Sequence, residues 1–519
     1  MIKKSIKNLI EYLIVLFILA FLCFYINKNI VMKLLYMDDL LDWSWFRGLN
    51  LYEFAFKFYG STKYRPIFET VQYLLYMIID TDPKKIITFN EIYNSLVALF
   101  IYHTIKRLNA GRIVALVLSS LYIISHFSYY QIGQGIGNLE TTSLFFTIFI
   151  LFYCLKLIGI IKEYDSSGNV IYLNKKNNIK NIIVIFVTYF LIVFTHERFL
   201  GLALPIFISI ILSKDEDNKV INTHKTITLI LFLIEILLIC YIRYIAIGNV
   251  MPVGTGGTRV EETFELKECI KYCFDQVAFI FGINVGAEHL VGIEFASIPS
   301  NSIKILTYIS IIIILFVILF YAVLKVKNIC NKRAYDINNN FNLDLIFLTF
   351  IAMCIGSSSV TIRVEMRFVY VSFTIALIYI SYMGTYIKEF FNNKLSKVLI
   401  TIIIVLICVT RIPVELTYRN YYNKIYCFFE MNRINSIYDE TIGKYGLEDI
   451  LHNKKIYLVK KYYDLTNFYA EYLLKIYDKN NVGSTIILVD DVSEIPMEEY
   501  GEDTIILYED LLNGVYVPL

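Results

Sequence analysis

Apolar residues occur along this chain in long runs that short polar segments separate. A helix needs roughly 20 mostly apolar residues to cross the hydrocarbon core of a bilayer. The pattern predicts about eleven such helices and hence an all-α polytopic membrane domain. Their predicted bounds are 9–29, 86–105, 113–131, 139–158, 181–195, 198–213, 226–247, 303–324, 344–359, 368–387 and 398–411.

Lysine and arginine are dense in every second loop between these segments. Cytoplasmic loops of membrane proteins carry such an excess, so the alternation predicts an N-terminus inside and a C-terminus outside. The basic clusters that set this orientation include Lys3, Lys4 and Lys7, Lys106, Arg107 and Arg112, Lys175, Lys176 and Lys180, Lys325 and Lys327, and Lys388, Lys394 and Lys397.

Three regions then face the exterior, namely the loops at 30–85 and 248–302 and the tail at 412–519. We therefore divide the chain into a transmembrane domain at 1–411 and an extracytoplasmic domain at 412–519. The tail has mixed charge and alternates apolar runs with a helical pattern, which predicts a small α/β domain. Strands are predicted at 456–463, 485–491 and 504–510, and a helix is predicted around 465–477.

The composition agrees with a membrane protein and makes each charge informative. Hydrophobic residues make up 57% of the chain and charged residues only 18%, whereas soluble proteins carry roughly 25% charged residues. A net charge of +2 suggests no nucleic-acid partner. The nine cysteines form no CxxC pair, so no zinc or redox motif is visible. Charges outside the basic loops are few and fall mainly on the predicted outer face.

Two adjacent acids, Asp38 and Asp39, follow the first predicted span by a few residues. One can act as a general base for a hydroxyl or amine while the other positions it or binds a cation. The pair permits a divalent cation but does not require one. The alternative is a helix N-cap with interfacial charge beside the membrane-surface aromatic Trp43. Asp42 is spaced to share a helical face with the pair.

Basic residues on the same outer face form the second candidate feature. Arg65 precedes Pro66, which suits the first position of a helix, and a helix N-terminus with an arginine suits a phosphate group. Arg363 and Arg367 flank Glu365 between the ninth and tenth spans, against the charge rule. A phosphate ligand explains these arginines, and interfacial anchoring is the alternative.

A third candidate is the sequence His196-Glu197-Arg198, which interrupts a long apolar run. Arg198 can bind a phosphate, and His196 or Glu197 can orient a substrate. A Glu–Arg pair that satisfies only itself is the alternative. Glu140 lies near the turn between the third and fourth spans on the same face and can contact a sugar. His126, Gln131 and Gln134 flank the same turn.

Together these residues resemble the GT-C superfamily of polytopic glycosyltransferases, which use polyprenyl-phosphate sugars. The resemblance covers about 1–411 and lies in Asp38-Asp39, Tyr64-Arg65-Pro66, His196-Glu197-Arg198 and the segment from Arg363 to Arg367. It implies that Asp38 or Asp39 is the catalytic base. It also implies that Arg65, Arg198, Arg363 and Arg367 hold the lipid phosphate.

The chain departs from the family in ways that leave its subfamily open. Protein O-mannosyltransferases usually have Asp-Glu where this chain has Asp38-Asp39, and their MIR domain is absent. The tail also lacks the WWD-type motif of oligosaccharyltransferases. The implied reaction is an inverting hexosyl or pentosyl transfer to a glycan, lipid or protein, on the extracytoplasmic face of a cell membrane.

Other functions stay open at this stage. A polysaccharide polymerase or ligase could work through the loop at 248–302, which carries Gly254, Gly256, Gly257 and Arg259. A flippase or transporter of lipid-linked sugars would place several charges at mid-membrane, and only Glu235 lies there clearly. An assembly protein whose outer tail does the work is a further alternative.

Overall fold

The computed structural model is mostly helical. It describes residues 2–33, 35, 37–57, 63–79, 82–161, 163–164, 170–171, 175–213, 221–251, 265–285, 293–330, 334–361, 365–391, 394–421, 432–441, 443–444, 455–459, 485–501, 503–510, 512–513 and 515–519.

Sixteen α-helices are defined among these residues, and each of the eleven predicted segments lies on helical structure. They are α1 (Ile2–Asn27), α2 (Met37–Gly48), α3 (Leu51–Phe56), α4 (Pro66–Ile79), α5 (Lys84–Arg107), α6 (Arg112–Ile124), α7 (Phe127–Gly133), α8 (Gly137–Leu157), α9 (Lys175–Thr195), α10 (Ala203–Ile211), α11 (Ile221–Ile247), α12 (Leu266–Ile280), α13 (Asn301–Cys330), α14 (Ala334–Ser359), α15 (Met366–Phe391) and α16 (Lys394–Asn420). Short 3-10 helices lie at Glu197–Leu202, Val492–Glu494 and Met497–Glu499.

Eight of the described helices are long and apolar enough to cross a membrane. A ninth span results if α6 and α7, which meet at a bend of 63°, are taken together. The multi-pass character of the domain is therefore clear, while the count of eleven and the inside–outside orientation stay predictions.

Helices α8 and α15 form the centre of the bundle. In their most apolar windows, 78% of α8 and 89% of α15 is buried, compared with 17% of α1 and 22% of α11. The outer helices present leucine, isoleucine and phenylalanine to their surroundings, as helices in contact with lipid do. The polar residues of the central helices are consequently held inside protein.

Basic residues from the predicted inner loops gather at one end of the bundle. Glu11 of α1 pairs with Lys106 at 2.5 Å and with Arg112 at 3.0 Å. Helices α1 and α5 are therefore antiparallel, and the C-terminal end of α1 lies at the opposite end of the bundle. We call that opposite end the site end, because the segment carrying Asp38 and Asp39 begins there.

The tail contains a four-stranded sheet in the order β4-β3-β5-β6. Strand β3 (Lys455–Val459) is parallel to β4 (Thr485–Val489) and to β5 (Thr504–Asp510), and β6 (Val515–Pro518) is antiparallel to β5. Two more strands, β1 (Glu163–Tyr164) and β2 (Val170–Ile171), form a hairpin in the loop after α8. The three strands predicted in the tail are confirmed, whereas the helix around 465–477 lies outside the described residues.

The helical segment 432–441 joins this sheet to the segment that follows α1. Arg433 forms a buried ion pair with Glu509 of β5 at 2.5 Å. On its other side, the Asn435 side chain accepts the backbone N–H of Lys33 at 3.1 Å and donates to the Val31 carbonyl at 3.2 Å. The tail is therefore anchored five residues before Asp38.

Candidate functional site

The acidic pair lies in the first turn of α2, and its two members have different surroundings. Asp39 is 1% exposed, and its two carboxylate oxygens accept the backbone N–H groups of Gly135 and Ile136, each at 2.7 Å. Gly135 permits this approach, because an added Cβ would lie 3.0 Å from the Asp39 carboxylate. Asp38 is exposed. The geometry thus separates a positioned acid from an accessible one.

Burial raises the pKa values of the acids around this turn. It raises the pKa of Asp39 to about 7, against the opposing effect of the two N–H donors. Burial and the charge of Glu69 raise the pKa of Asp42 well above its usual range. Burial also raises the pKa of Glu69, which lies on α4, to about 7. This segment therefore carries two carboxyl groups, those of Asp39 and Glu69, whose pKa values lie near neutral.

Arg65 and Glu197 form a bidentate ion pair that joins α4 to the 3-10 helix after α9. The Arg65 guanidinium donates to the Glu197 carboxylate at 3.0 and 2.5 Å, and both side chains are buried. Arg243 of α11 lies 3.7 Å from the same carboxylate. Although burial disfavours its charge, the Arg65 guanidinium holds the pKa of Glu197 well below its usual range.

Arg198 pairs with Glu140 at the start of α8, at 2.6 Å. The alternative of a self-contained pair between Glu197 and Arg198 is therefore incorrect, because each residue reaches a partner on another helix. His196 lies between the two ion pairs, 3.6 Å from Glu197 and 3.9 Å from Glu140. Burial and the charge of Arg65 lower the pKa of His196, so the imidazole is neutral at pH 7.

The start of α15 completes this arrangement. Glu365 is fully buried and contacts the Arg367 guanidinium. Phe368 lies under Arg198, with 4.4 Å between the guanidinium carbon and the ring centroid. The charge of Arg367 also acts on Arg65 and His196. Arg363 lies outside the described residues.

The acids of α2 and the arginine cluster belong to one region. Lys63 lies within electrostatic reach of Asp38, Glu197 and Arg367, and the charge of Arg65 acts on Glu69. Nine of the described candidates from the sequence therefore lie together at the site end. They are Asp38, Asp39, Arg65, Glu140, His196, Glu197, Arg198, Glu365 and Arg367.

Several buried polar atoms of this region have no hydrogen-bond partner among the described residues. They are Arg198 Nη1, His196 Nε2, Glu140 Oε1, Asn138 Oδ1 and both amide atoms of Gln131. A buried polar group without a partner costs roughly 1–3 kcal/mol, so folded proteins rarely leave several together. The unsatisfied donors and acceptors indicate a place for a polar ligand beside the ion pairs.

Sequence reasoning missed Lys63, Glu69 and Arg243 as members of the site. Arg243 was detectable, since it lies near the outer end of a predicted span, against the charge rule that identified Arg367. Lys63 and Glu69 carry no comparable signal, because charged residues are ordinary in a loop and at the start of a helix. Only their position beside Arg65 distinguishes them.

His126 and residues of α16 form a separate buried cluster. The His126 backbone N–H donates to Glu415 at 2.9 Å, and Glu415 also contacts the His126 ring and Arg411. Helix α16 continues to Asn420, nine residues beyond the predicted end of the last span. Arg411 and Glu415 consequently lie on one continuous helix. The division at 411/412 stays a prediction.

A divalent cation at Asp38 and Asp39 stays a prediction. Within the described residues, no group of three or more His, Cys, Asp or Glu side chains has the geometry to hold a metal ion. Asp38 and Asp39 are the only metal candidates that the sequence suggested. Because the carboxylate of Asp39 is engaged by two N–H groups, a cation would have to compete with them.

No protein-family model matches the chain. The search of curated proteins also found no match. Solved structures of the oligosaccharyltransferase from Archaeoglobus fulgidus align with 92% of the chain. The apo form gives a TM-score of 0.45 at 11% identity and 64% coverage of that protein. A form tethered with an acceptor peptide containing the NVT sequon gives 0.46 at 12% identity and 63% coverage.

A third structure, described as the archaeal oligosaccharyltransferase AglB in complex with an inhibitory peptide and a dolichol-phosphate, gives a TM-score of 0.46, 12% identity and 64% coverage. The chain spans less than two thirds of the length of these proteins. At this level of similarity, the alignments assign neither a family nor a function to the chain.

Proposed function

We propose that the chain is a membrane glycosyltransferase that moves a sugar from a polyprenyl-phosphate donor to an acceptor substrate at the outer face. The observation that carries this proposal is the convergence of Asp38, Arg65, Arg198 and Arg367 on one buried polar region. An exposed acid beside several cations suits a reaction in which a hydroxyl loses a proton and a phosphate departs. Unsatisfied polar atoms nearby suit a sugar.

In the proposed reaction, the Asp38 carboxylate takes the proton of an acceptor hydroxyl or amine. The oxygen or nitrogen of the acceptor attacks C1 of the donor sugar from the face opposite the phosphate. A bond forms to C1 while the bond from C1 to the phosphate oxygen breaks, which inverts the configuration. Polyprenyl phosphate leaves with the bonding electron pair, and Arg65, Arg198, Arg243 and Arg367 stabilise its charge.

Asp39 has a positioning role in this proposal. Both of its carboxylate oxygens accept N–H groups of the turn before α8, so it ties the first turn of α2 to that turn. Glu140, His196, Glu197 and Glu365 hold the arginines in place and orient the sugar. A rival polymerase or ligase function would use Gly254, Gly256, Gly257 and Arg259, which lie outside the described residues.

The proposal is tested by incubating the purified full-length chain with radiolabelled polyprenyl-phosphate sugars and an acceptor extract. We expect label to leave the lipid in wild-type protein and to stay on it in the Asp38→Asn variant. Asp275→Asn on α12 is the matched control, because it makes the same change to an acid outside the site. Equal transfer by Asp38→Asn and wild type would exclude Asp38 as the base.

A flippase gives a different result in the same system. It would move labelled lipid between the leaflets of a vesicle without breaking the bond between sugar and phosphate. Intact labelled donor that becomes accessible on the opposite leaflet would therefore contradict the proposed transfer and favour transport.

A further inference from the structure

A cavity of about 620 Å³ lies between α6 and the five helices α12 to α16. Its wall is almost wholly apolar and includes Leu118, Ile318, Ile351 and Leu377. None of the described residues of the candidate site lines it. The cavity is therefore separate from the groups that react in the proposed transfer.

The cavity is long enough to hold a single hydrocarbon chain. Phe341 and Ile355 line its two ends along α14. A rise of 1.5 Å per residue places these ends about 21 Å apart. This is about two thirds of the roughly 30 Å hydrocarbon core. One acyl chain of a phospholipid fits within this length, whereas a long polyprenyl chain would have to leave the cavity.

A polar network lies near the end of the cavity that is away from the site end, about one helical turn from Phe341. Asp344 accepts hydrogen bonds from Tyr321 at 2.5 Å, from Lys325 at 2.8 Å and from Tyr379 at 3.0 Å. These four residues line the cavity and link α13, α14 and α15. A hydrocarbon chain that enters from the site end therefore meets these polar groups near the far end of the cavity.

Arg411 lies at the other end, and its side chain is 2% exposed. Its Nε group pairs with Glu415, and its Nη2 group donates to the Phe279 carbonyl at 3.5 Å. The Nη1 group has no hydrogen-bond partner within the described part of the chain. Gly282, with φ +94°, leaves room for it, because a Cβ there would lie 2.3 Å from Nη1. A buried cationic donor thus remains at the mouth of an apolar cavity.

We propose that this cavity binds one acyl chain of an acidic phospholipid whose phosphate accepts a hydrogen bond from Arg411. The apolar wall takes the chain and the buried N–H donor takes the anionic oxygen, so both halves of the ligand find a partner. This lipid is distinct from the donor of the proposed reaction.

Native mass spectrometry of the full-length chain tests this site. The protein is released from nanodiscs that contain equal amounts of phosphatidylglycerol and phosphatidylcholine. We expect wild type to retain one phosphatidylglycerol molecule in preference to phosphatidylcholine. Ala376→Phe fills the cavity and lowers this retention by about tenfold. Ala20→Phe on α1 is the matched control, since Ala20 is equally half-buried but lies outside the cavity.

Two further variants separate the contributions of chain and head group. Ala322→Phe fills the same cavity from α13 and replaces Ala376→Phe if that variant does not fold. Arg411→Lys keeps a cation for Glu415 but removes the Nη1 donor, so it retains a lipid without the preference for phosphatidylglycerol. The proposal is overturned if wild type retains no lipid or if the cavity-filling variants retain as much as wild type. It is equally overturned if polyprenyl phosphate at equal concentration displaces phosphatidylglycerol.

Discussion

The ionisation of Asp39 predicts a pH dependence for the proposed transfer. Burial raises the pKa of this carboxyl to about 7. When it is ionised, its two oxygens accept the N–H groups of Gly135 and Ile136 and hold the first turn of α2. A proton on one oxygen removes an acceptor and leaves a buried N–H unpaired. We therefore expect Asp38 to be positioned for catalysis only when Asp39 is ionised.

The pKa of Asp39 sets how much the transfer rate should change with pH. A carboxyl with a pKa of about 7 is roughly one tenth ionised at pH 6 and roughly nine tenths ionised at pH 8. The transfer rate should therefore be about tenfold higher at pH 8 than at pH 6. His196 is not expected to produce this rise in rate, because burial and the charge of Arg65 lower its pKa.

The raised pKa of Asp39 makes the folded chain less stable as the pH rises, whereas it makes the proposed transfer faster. The pKa of Asp39 in the folded chain exceeds the unfolded value of about 3.9, so ionisation disfavours the folded state. The neutral Asp39 carboxyl stabilises the folded state relative to the unfolded state. This stabilisation is fully present below about pH 4 and is lost as the pH rises through about 7. It amounts to about 4 kcal/mol, since one pKa unit corresponds to about 1.4 kcal/mol.

The assay measures single-turnover release of label from a polyprenyl-phosphate sugar between about pH 5.5 and pH 8.5. In wild type and in the Asp275→Asn control, the transfer rate should rise with pH in the same way, with a midpoint near pH 7. The Asp39→Asn variant should release label slowly, and its rate should not change over this pH range, because its amide does not titrate. Ionisation of Asp39 does not control transfer if the wild-type rate is independent of pH. The same conclusion holds if the rate of Asp39→Asn rises with pH as in wild type.

Three further predictions concern the packing around the site. Glu197→Gln leaves Arg65 buried without its anion and should lower the free energy of unfolding by about 3–5 kcal/mol; a thermal unfolding temperature equal to that of wild type would contradict this. Gly135→Ala places a methyl group 3.0 Å from the buried carboxylate of α2, so transfer should fall while membrane insertion is unchanged, and full transfer activity would show that the contact is unimportant. Arg433→Met removes the buried partner of Glu509 and should raise amide hydrogen exchange in β5, with exchange in α8 as the control. Unchanged exchange in β5 would mean that this pair does not anchor the tail.

Arginines that oppose the charge rule for membrane proteins were predictable as candidate site residues from the sequence. Arg198 and Arg367 stand out because arginine is unusual at the outer end of an apolar segment, and the structure brings both to one region. Glu69 and Lys63 obey every local rule, so nothing in the linear order marks them. Their membership depends on how α4 packs beside the 3-10 helix after α9, which is a long-range contact.

The sequence by itself determined the multi-pass helical character, the three predicted tail strands and the candidate residues of the site. Hydropathy and strand patterns are local, and a residue that violates them is visible without a partner. Only the tertiary structure decided which charges pair. It joined Arg65 to Glu197, joined Arg198 to Glu140 and placed Asp39 against Gly135. Ion pairs between distant segments depend on helix packing, which the order of residues along one segment does not specify.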